Sequence, residues 1–280
     1  MKQPVIKGVR YQLGHAPGLV RHGSKPSREI EKDPALLHSI MAHLRSYPEA
    51  VAYPPNRAFL GGIYPDQLKE IERPWFHGNG ESQRWLPHGE IMPEEELIGL
   101  LKIADAFDLV WLEEGFIGLV RNALADHPLI TSSDLDGLDG AKSQSDIEAQ
   151  VANGAGTLPL HLRDGSLVGC ISRAHDEDAA LTSDVILENL ACKVTAAMAL
   201  RTLLRDQGLD GSGIDYVLNT GEEAVGERYQ RGGGNLAKAI AEMCGLENAT
   251  GCDVKAFCCG PVHALVMAGA LVSSGLYRQV

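Results

Sequence analysis

The residues from Pro261 to Val272 (PVHALVMAGALV) are apolar or small at almost every position. A strand pattern precedes them, and Gly275 follows as a helix stop. Because a helix that is apolar on every face has to be covered by other structure, we expect this one to lie inside a domain. A chain of 280 residues, of which 44% are hydrophobic, is long enough to form such a core. This composition excludes disordered, collagen-like and coiled-coil chains.

Strand and helix patterns alternate over the second half of the chain. Strands are predicted at 166–174, 213–218 and 253–257, and helices at 183–207, 235–244 and 259–274. Strands that alternate with helices in this way predict an α/β domain with a largely parallel sheet.

The first half of the chain is less regular. We predict a strand at 5–13, a helix at 34–46, a proline-rich irregular stretch from 47 to 93 and a helical zone at 93–125. The segment 131–157 is predicted to be a linker or loop with a weak helix between TSSDLDGLDG and NGAG. No internal repeat is visible in the sequence.

The charge balance argues against a nucleic-acid partner. Lys plus Arg total 25 against 37 for Asp plus Glu, a net charge of −12, and no basic tract is present. The N-terminus lacks a signal-peptide pattern, and the longest apolar run, Val262–Val272, is shorter than the ~20 residues of a membrane span. The six cysteines do not form a secreted disulfide pattern. We therefore expect a cytoplasmic protein with reduced thiols and no membrane partner.

Cys258 is the candidate catalytic residue. It lies where a strand turns into the apolar helix, and unpaired backbone N–H groups at a helix N-terminus favour a thiolate and can stabilise an oxyanion. The alternative is an inert core thiol, because free cysteines are often buried as small hydrophobes. His263 lies five positions later, about 140° around the helix, so we assign it to packing or to a backbone hydrogen bond rather than to the role of base.

A second candidate is the glycine-rich run Gly232–Gly234. Such a run before a helix can bind phosphate, with Arg228 and Arg231 assisting, but it lacks the Walker and Rossmann spacings and also fits a flexible turn. Glu222 and Glu223 are adjacent and make a weak acid–base pair.

The histidines do not predict a metal site. There is no Cys-x-x-Cys motif, and neither His38 with His43 nor His15 with His22 has the spacing of a ligand pair. We expect neither a metal nor a cofactor in this chain.

Residues 183–275 resemble the N-terminal half of the thiolase fold, and ketoacyl synthase III enzymes in particular. In those enzymes a helix that ends in Gly-Leu or Gly-Ile leads to an Ile-Asp strand that ends in Thr, matched here by Gly208-Leu209, Ile214-Asp215 and Thr220. Their nucleophile lies in Ala-Cys-small-Gly before a buried helix, so FCCGP places Cys258 in the nucleophile position.

Longer runs resemble the β subunit of component C of glycine/sarcosine/betaine reductase. These runs are GEEAVGERYQRGGGNLAKAIAEM and DVKAFCCGPVHALVMAGALVSSG, and YPPN and EIERPW agree with them. The resemblance implies that component C converts a carboxymethyl group on the selenoprotein component A, through an acetyl thioester, to acetyl phosphate. It implies no cofactor in this chain, inorganic phosphate as co-substrate, and an oligomeric complex with component A and a second, phosphate acyltransferase-like subunit.

That second subunit is the one usually thought to carry the acetyl-accepting cysteine, so the resemblance leaves two roles open for this chain. Cys258 either takes part covalently, or the chain is a structural or interaction subunit with a degenerate thiolase-like site. The amine substrate is not specified by the motifs.

The resemblance also implies an α/β fold, built as half of a thiolase-like core (layered α-β-α, a mixed sheet with a buried central helix) plus a largely helical and irregular insertion. Residues 1–13 then form the first strand, 14–157 the insertion and 158–280 the core half. Because family β subunits are longer and the sequence ends in a strand-like run from Leu276, we expect a truncated chain or one completed by another chain, inactive in isolation.

Overall fold

A computed structural model describes residues 3–75, 83–175, 177–222 and 226–280. The helices are α1 Ser24–Lys32, α2 Ala35–His43, α3 Tyr47–Ala52, α4 Pro54–Phe59, α5 Glu94–Ala104, α6 Glu114–Ala125, α7 Ser132–Asp136, α8 Gln144–Asn153, α9 Ser183–Gln207, α10 Leu236–Met243 and α11 Gly260–Ser274. The strands are β1 Tyr11–Gly14, β2 Trp85–Leu86, β3 Gly89–Met92, β4 Val110–Leu112, β5 Leu158–His161, β6 Leu167–Ile171, β7 Tyr216–Asn219 and β8 Thr250–Asp253. The predicted mixed α/β class is confirmed.

The long helix α9 follows its prediction from start to end. Ile186, Leu190 and Val194 recur on one face of the helix as an apolar stripe, are fully buried, and belong to the same hydrophobic cluster as the apolar residues of α5. Gly208 ends the helix in the left-handed conformation, with φ 58°, which glycine adopts without steric cost. The helix therefore forms one wall of the main core, and α10 packs against it as well.

The predicted largely parallel sheet is wrong for the described residues, whose strands form three small sheets. β7 and β8 pair in parallel, and this pair positions the candidate site. β6 instead pairs antiparallel with both β4 and β5. The reason is that β4 lies inside residues 93–125, whose sequence shows only a helical period. The sequence near β4 therefore does not predict a strand there or its pairing with β6.

The predicted strand at 5–13 is shorter and shifted. Residues 3–10 form no strand, and β1 begins at Tyr11. β1 pairs in parallel with β3, which comes from the proline-rich stretch predicted to be irregular. This pairing needs a glycine at position 89, where a Cβ atom would lie 1.9 Å from the carbonyl oxygen of Tyr11. The division into 1–13, 14–157 and 158–280 stays a prediction.

The predicted linker at 131–157 is a structured part of the main core. It contains α8, which is the predicted weak helix, and also α7, and the two begin at the N-caps Ser143 and Thr131. Leu138 and Ile147 are fully buried, so this segment packs against its neighbours. Short polar helices with local caps have a weak apolar period, and this is why the sequence pattern indicated a loop.

Two predicted elements near the site lie elsewhere. The strand expected at 253–257 is β8, which begins three residues earlier and ends at Asp253, whose carboxylate accepts the backbone N–H of Leu236. The strand expected to start at Leu276 is not formed. Instead the backbone N–H groups of Arg278 and Gln279 donate to the carboxylate of Asp215, at 2.6 and 3.0 Å.

The prediction that α11 is buried is wrong for this structure. Leu265 and Val266 are 62% and 66% exposed. The helix makes its main contacts with β7 and with the turn before it, and Gly260 is its only buried residue. The helical segment Phe257–Ser274 has 18 residues and a mean hydropathy of 1.6, so it extends beyond the apolar run Val262–Val272 and is long and apolar enough to cross a membrane. Only 6% of its residues are buried. Core helices of soluble proteins can be equally long and apolar.

Candidate active site

Cys258 lies in a single 3-10 turn between β8 and α11. The turn spans Phe257–Cys259, and both cysteines in it are exposed. Phe257 has φ 47°, a left-handed conformation that is uncommon for a bulky residue. The backbone therefore makes a sharp turn directly before Cys258, and the thiol faces solvent instead of the core.

Glu222 is the residue that Cys258 contacts. The thiol donates a hydrogen bond of 3.0 Å to Oε1 of Glu222. This hydrogen bond and the negative charge of the carboxylate raise the pKa of Cys258 above its ordinary value. The predicted stabilisation of a thiolate at the start of α11 is therefore overcome by a carboxylate. At rest the pair is a thiol beside a proton acceptor.

The parallel pairing of β7 and β8 brings the two residues together. Strands that run in parallel end at the same edge of a sheet, and both Glu222 and Cys258 follow such an end. From the sequence, Glu222 is predicted only as one half of a weak acid–base pair with Glu223, which lies outside the described residues. The usable signal was the position of Glu222 just after one strand, with Cys258 just after the next.

The start of α11 sits very close to the loop after β7. A Cβ atom on Gly260 would lie 2.0 Å from Oγ1 of Thr220. Oγ1 of Thr220 is buried and, within the described part of the chain, has no hydrogen-bond partner. Nζ of Lys255 adds a second link between the two loops by donating to the carbonyl oxygen of Gly221 at 3.3 Å. The distance between Cys258 and Glu222 thus depends on a glycine at position 260.

His263 is exposed on the first turns of α11, so the predicted packing role is wrong. Among the described residues it has no recorded side-chain hydrogen bond, and none to Cys258. This agrees with the expectation that the helical spacing keeps it from acting as the base for that thiol. Most of α11 is exposed in the same way, since Gly260 is its only buried residue.

The glycine-rich run is not an open phosphate cradle. Arg231 is 1% exposed and pairs with Asp253, and its Nη1 donates to Oδ1 of Asn189 at 3.0 Å. The carboxylate of Asp253 in turn accepts the backbone N–H groups of Leu236 and Ala237 at 3.0 and 2.9 Å. An internal carboxylate therefore occupies the N-terminus of α10, where a phosphate was considered.

The loop itself is also internally bonded. Gly233 N–H donates to the carbonyl of Arg228 at 2.9 Å, and Asn235 caps α10 through a bond from Lys238 N–H of 3.2 Å. The side chain of Arg228 pairs with Asp178 at 3.2 Å. This supports the second reading, in which the run is a turn before a helix.

The histidine pairs considered for a metal each have other contacts. Nδ1 of His43 lies 2.7 Å from the carbonyl oxygen of Ser39, and Nε2 of His15 lies 3.0 Å from that of Arg45. Across the ranges that the structure describes, no group of three or more His, Cys, Asp or Glu side chains is arranged to hold a metal ion.

The fold and site together define a mixed α/β protein with an exposed cysteine between a parallel strand and an apolar helix. The chain is similar over its whole length to the glycine/sarcosine/betaine reductase complex component C subunit beta of Peptoclostridium acidaminophilum, with 39% identity over 290 aligned residues. The resemblance predicted from the motifs is confirmed. The match covers 100% of this chain and 55% of the relative, so the chain spans about half the length of that subunit.

Two other comparisons complete the picture. No protein-family model matches the chain. Among solved structures, the priming β-ketosynthase from the R1128 polyketide biosynthetic pathway matches with a TM-score of 0.28 and 34% identity, covering 31% of this chain and 25% of that one.

Proposed function

We propose that this chain acts in component C of a glycine/sarcosine/betaine reductase complex and that Cys258 carries an acetyl group as a thioester during the reaction. One observation supports this assignment more than any other: the exposed thiol of Cys258 donates to the carboxylate of Glu222 at 3.0 Å. A nucleophile within hydrogen-bond reach of a base is the arrangement that covalent catalysis requires.

The proposed step uses both side chains. Glu222 accepts the proton of Cys258, the sulfur attacks the carbonyl carbon of an acetyl thioester formed elsewhere in the complex, and the C–S bond of that thioester breaks so that its thiol departs with the proton. The two-electron reduction of the carboxymethyl group to this acetyl group lies outside this chain, with the selenium of component A and a thiol oxidised in that step. Inorganic phosphate then attacks the thioester, forms acetyl phosphate and returns Cys258 to the thiol. No cofactor in this chain is needed for either transfer. The partners in this scheme are the second, phosphate acyltransferase-like subunit, the selenoprotein component A and further copies in an oligomer.

A structural role is the second candidate, and two observations favour it. The carboxylate of Glu222 raises the pKa of Cys258 rather than lowering it, which reduces the thiolate fraction at rest. The exposed apolar side of α11 also offers a surface for another protein chain. In this reading residues 158–280 form half of a thiolase-like core without a covalent task.

An experiment on the assembled complex distinguishes the two candidate functions. Component C is reconstituted with wild-type, Cys258→Ala or Cys259→Ala chain and supplied with carboxymethylated component A and phosphate. We expect Cys258→Ala to abolish acetyl phosphate formation and Cys259→Ala to retain it, because only Cys258 contacts Glu222. Without phosphate, mass spectrometry of the digested chain should find an acetyl group on Cys258. Full activity of Cys258→Ala, with no acetylated peptide in the wild type, supports the structural role instead.

We also propose a cytoplasmic location. No disulfide bond joins the cysteines that the structure describes, as expected in a reducing compartment. Recovery of the native complex in the soluble fraction of lysed cells supports this location, and recovery with the membranes contradicts it.

A further inference from the structure

A cleft lies where α7, α9 and α10 meet. Its volume is about 630 Å³, within the range of small-molecule sites. Ile103, Leu129, Leu204 and Met243 supply apolar walls. Neither Cys258 nor Glu222 lines it, so this cleft is separate from the candidate active site.

Lys193 brings a positive charge to this cleft. Its side chain is partly buried on α9, and Nζ donates one hydrogen bond, of 2.8 Å, to the carbonyl oxygen of Ala104. Among the residues described, no carboxylate lies within ion-pair distance of it. Burial lowers the pKa of Lys193, although Glu242 and other acidic groups at longer range act against this shift. Two of its three N–H donors remain for a ligand.

Glu242 brings the opposite charge. It lines the same cleft from α10 and is exposed. In the part of the chain that the structure covers, its carboxylate has no recorded hydrogen bond or ion pair. The two charges are close enough for Glu242 to influence the pKa of Lys193 but are not in contact. The cleft therefore presents one unpaired cation and one unpaired anion on facing helices.

The second cation of the cleft is already neutralised. Arg201 binds Asp134 through two hydrogen bonds, of 2.7 and 2.9 Å, and also donates to the carbonyl oxygen of Leu129 at 3.0 Å. The lining carries two positive charges, on Lys193 and Arg201, and two negative charges, on Asp134 and Glu242, so its net charge is zero. A phosphate dianion would be repelled by Asp134 and Glu242, whereas a neutral zwitterion matches the lining charge.

We propose that this cleft binds a small α-amino acid with an apolar side chain. Lys193 binds the carboxylate, Glu242 binds the ammonium group, and Ile103, Leu129 and Met243 contact the side chain. The chemistry of both head groups follows from the two unpaired charges, and the apolar side chain follows from the walls and from a volume larger than the head groups need. This site goes beyond the proposed acetyl transfer and does not depend on it.

The proposal is tested by calorimetric titration of the purified full chain with L-leucine. Two matched probes lack one charge each: 4-methylpentanoate has no ammonium group, and 3-methylbutylamine has no carboxylate. We expect leucine to bind at least tenfold more tightly than either, because each lost charge removes a charge-assisted hydrogen bond. Absence of leucine binding at millimolar concentration, or equal binding of 4-methylpentanoate, overturns the proposal.

Substitutions of Lys193 and Glu242 test the role of each charge in leucine binding. Lys193→Met and Glu242→Gln should each weaken leucine binding at least tenfold, whereas Lys25→Met and Glu247→Gln, which change equivalent charges outside the cleft, should not. Glu242 is exposed, so its variant keeps the test valid if Lys193→Met fails to fold. Unchanged binding in Glu242→Gln overturns the zwitterion assignment. Cys258→Ala should bind leucine as the wild type does, so failure here is distinguishable from failure of the acetyl-transfer proposal.

Discussion

The thiol of Cys258 donates a hydrogen bond of 3.0 Å to a carboxylate oxygen of Glu222, a residue 36 positions earlier in the chain. Both residues are on the surface, at the ends of two parallel strands. The contact raises the pKa of the thiol, through the hydrogen bond and because a negative neighbour disfavours a second negative charge.

Replacing Glu222 by Gln should lower the pKa of Cys258, because both the hydrogen bond and the charge of the carboxylate raise it. The rate of alkylation by iodoacetamide at neutral pH should therefore rise several-fold. The measurement is the rate as a function of pH in a Cys259→Ala background, with Glu247→Gln as control.

Acetyl transfer should respond in the opposite direction in the same variant. If Glu222 accepts and returns the proton, its loss slows acetyl phosphate formation although more thiolate is present. A rise in both rates would assign Glu222 a purely electrostatic effect on the thiol and remove it from the proposed proton transfer.

Gly260→Ala should destabilise the chain by about 1–3 kcal/mol, the usual cost of overpacking. The added Cβ atom would lie 2.0 Å from Oγ1 of Thr220 and 3.4 Å from its Cβ. Thr220→Ala removes the first contact and leaves the second, so the double variant should recover most of the loss. Urea unfolding of the four proteins measures this coupling. Strictly additive effects would show that the two residues do not meet.

Asp253→Asn should cost about 3–5 kcal/mol of unfolding free energy, because it removes the negative charge that is paired with the buried guanidinium of Arg231. The same carboxylate accepts two backbone N–H groups of α10, at 3.0 and 2.9 Å. The matched control is Asp178→Asn, which removes the half-exposed partner of Arg228 and should cost less than about 1 kcal/mol. Equal losses in chemical denaturation would contradict the buried role of Asp253.

Glu90 should make the fold sensitive to acid. Burial acts to raise its pKa, but the contacts with His127 at 3.0 Å and Arg84 at 2.9 Å outweigh this and lower it. The ionised group therefore stabilises the fold above its unfolded pKa of about 4.3, and this stabilisation is lost as the pH falls through the lower, folded-state pKa.

The variant Glu90→Gln tests this contribution. It should lose about 1–3 kcal/mol at neutral pH, as expected for a buried hydrogen-bonded group, and its stability should depend less on pH on the acid side. The measurement is the urea midpoint as a function of pH, with the exposed Glu247→Gln as control. An identical acid slope in Glu90→Gln and wild type would contradict the assignment.

The sequence predicted those elements whose signals are local. Helix α9 carries its apolar stripe and its stop at Gly208 within one continuous run, and both are confirmed. Strand pairing depends on distant residues, so neither the contact of Gly89 with Tyr11 nor the pairing of β4 with β6 could be predicted from local pattern.

The candidate site shows the same division. The position of Cys258 between a strand and a helix follows from neighbouring residues, and the structure confirms it within a few positions. The electrostatic environment of Cys258 does not follow from neighbouring residues, because Glu222 is brought to the thiol by the pairing of β7 with β8. The charge of the helix end was visible in the sequence, whereas the nearby carboxylate that opposes it was not.

The position of the Asp253 carboxylate at the N-terminus of α10 affects whether this helix end can bind phosphorylated compounds. A carboxylate tethered beside the helix N-terminus competes there at a very high effective concentration, because it needs no translational entropy to bind. A free anion would have to displace this carboxylate from the backbone N–H groups of Leu236 and Ala237 and from its ion pair with Arg231. We therefore expect no phosphate binding at the N-terminus of α10, and raising the phosphate concentration should not loosen this helix.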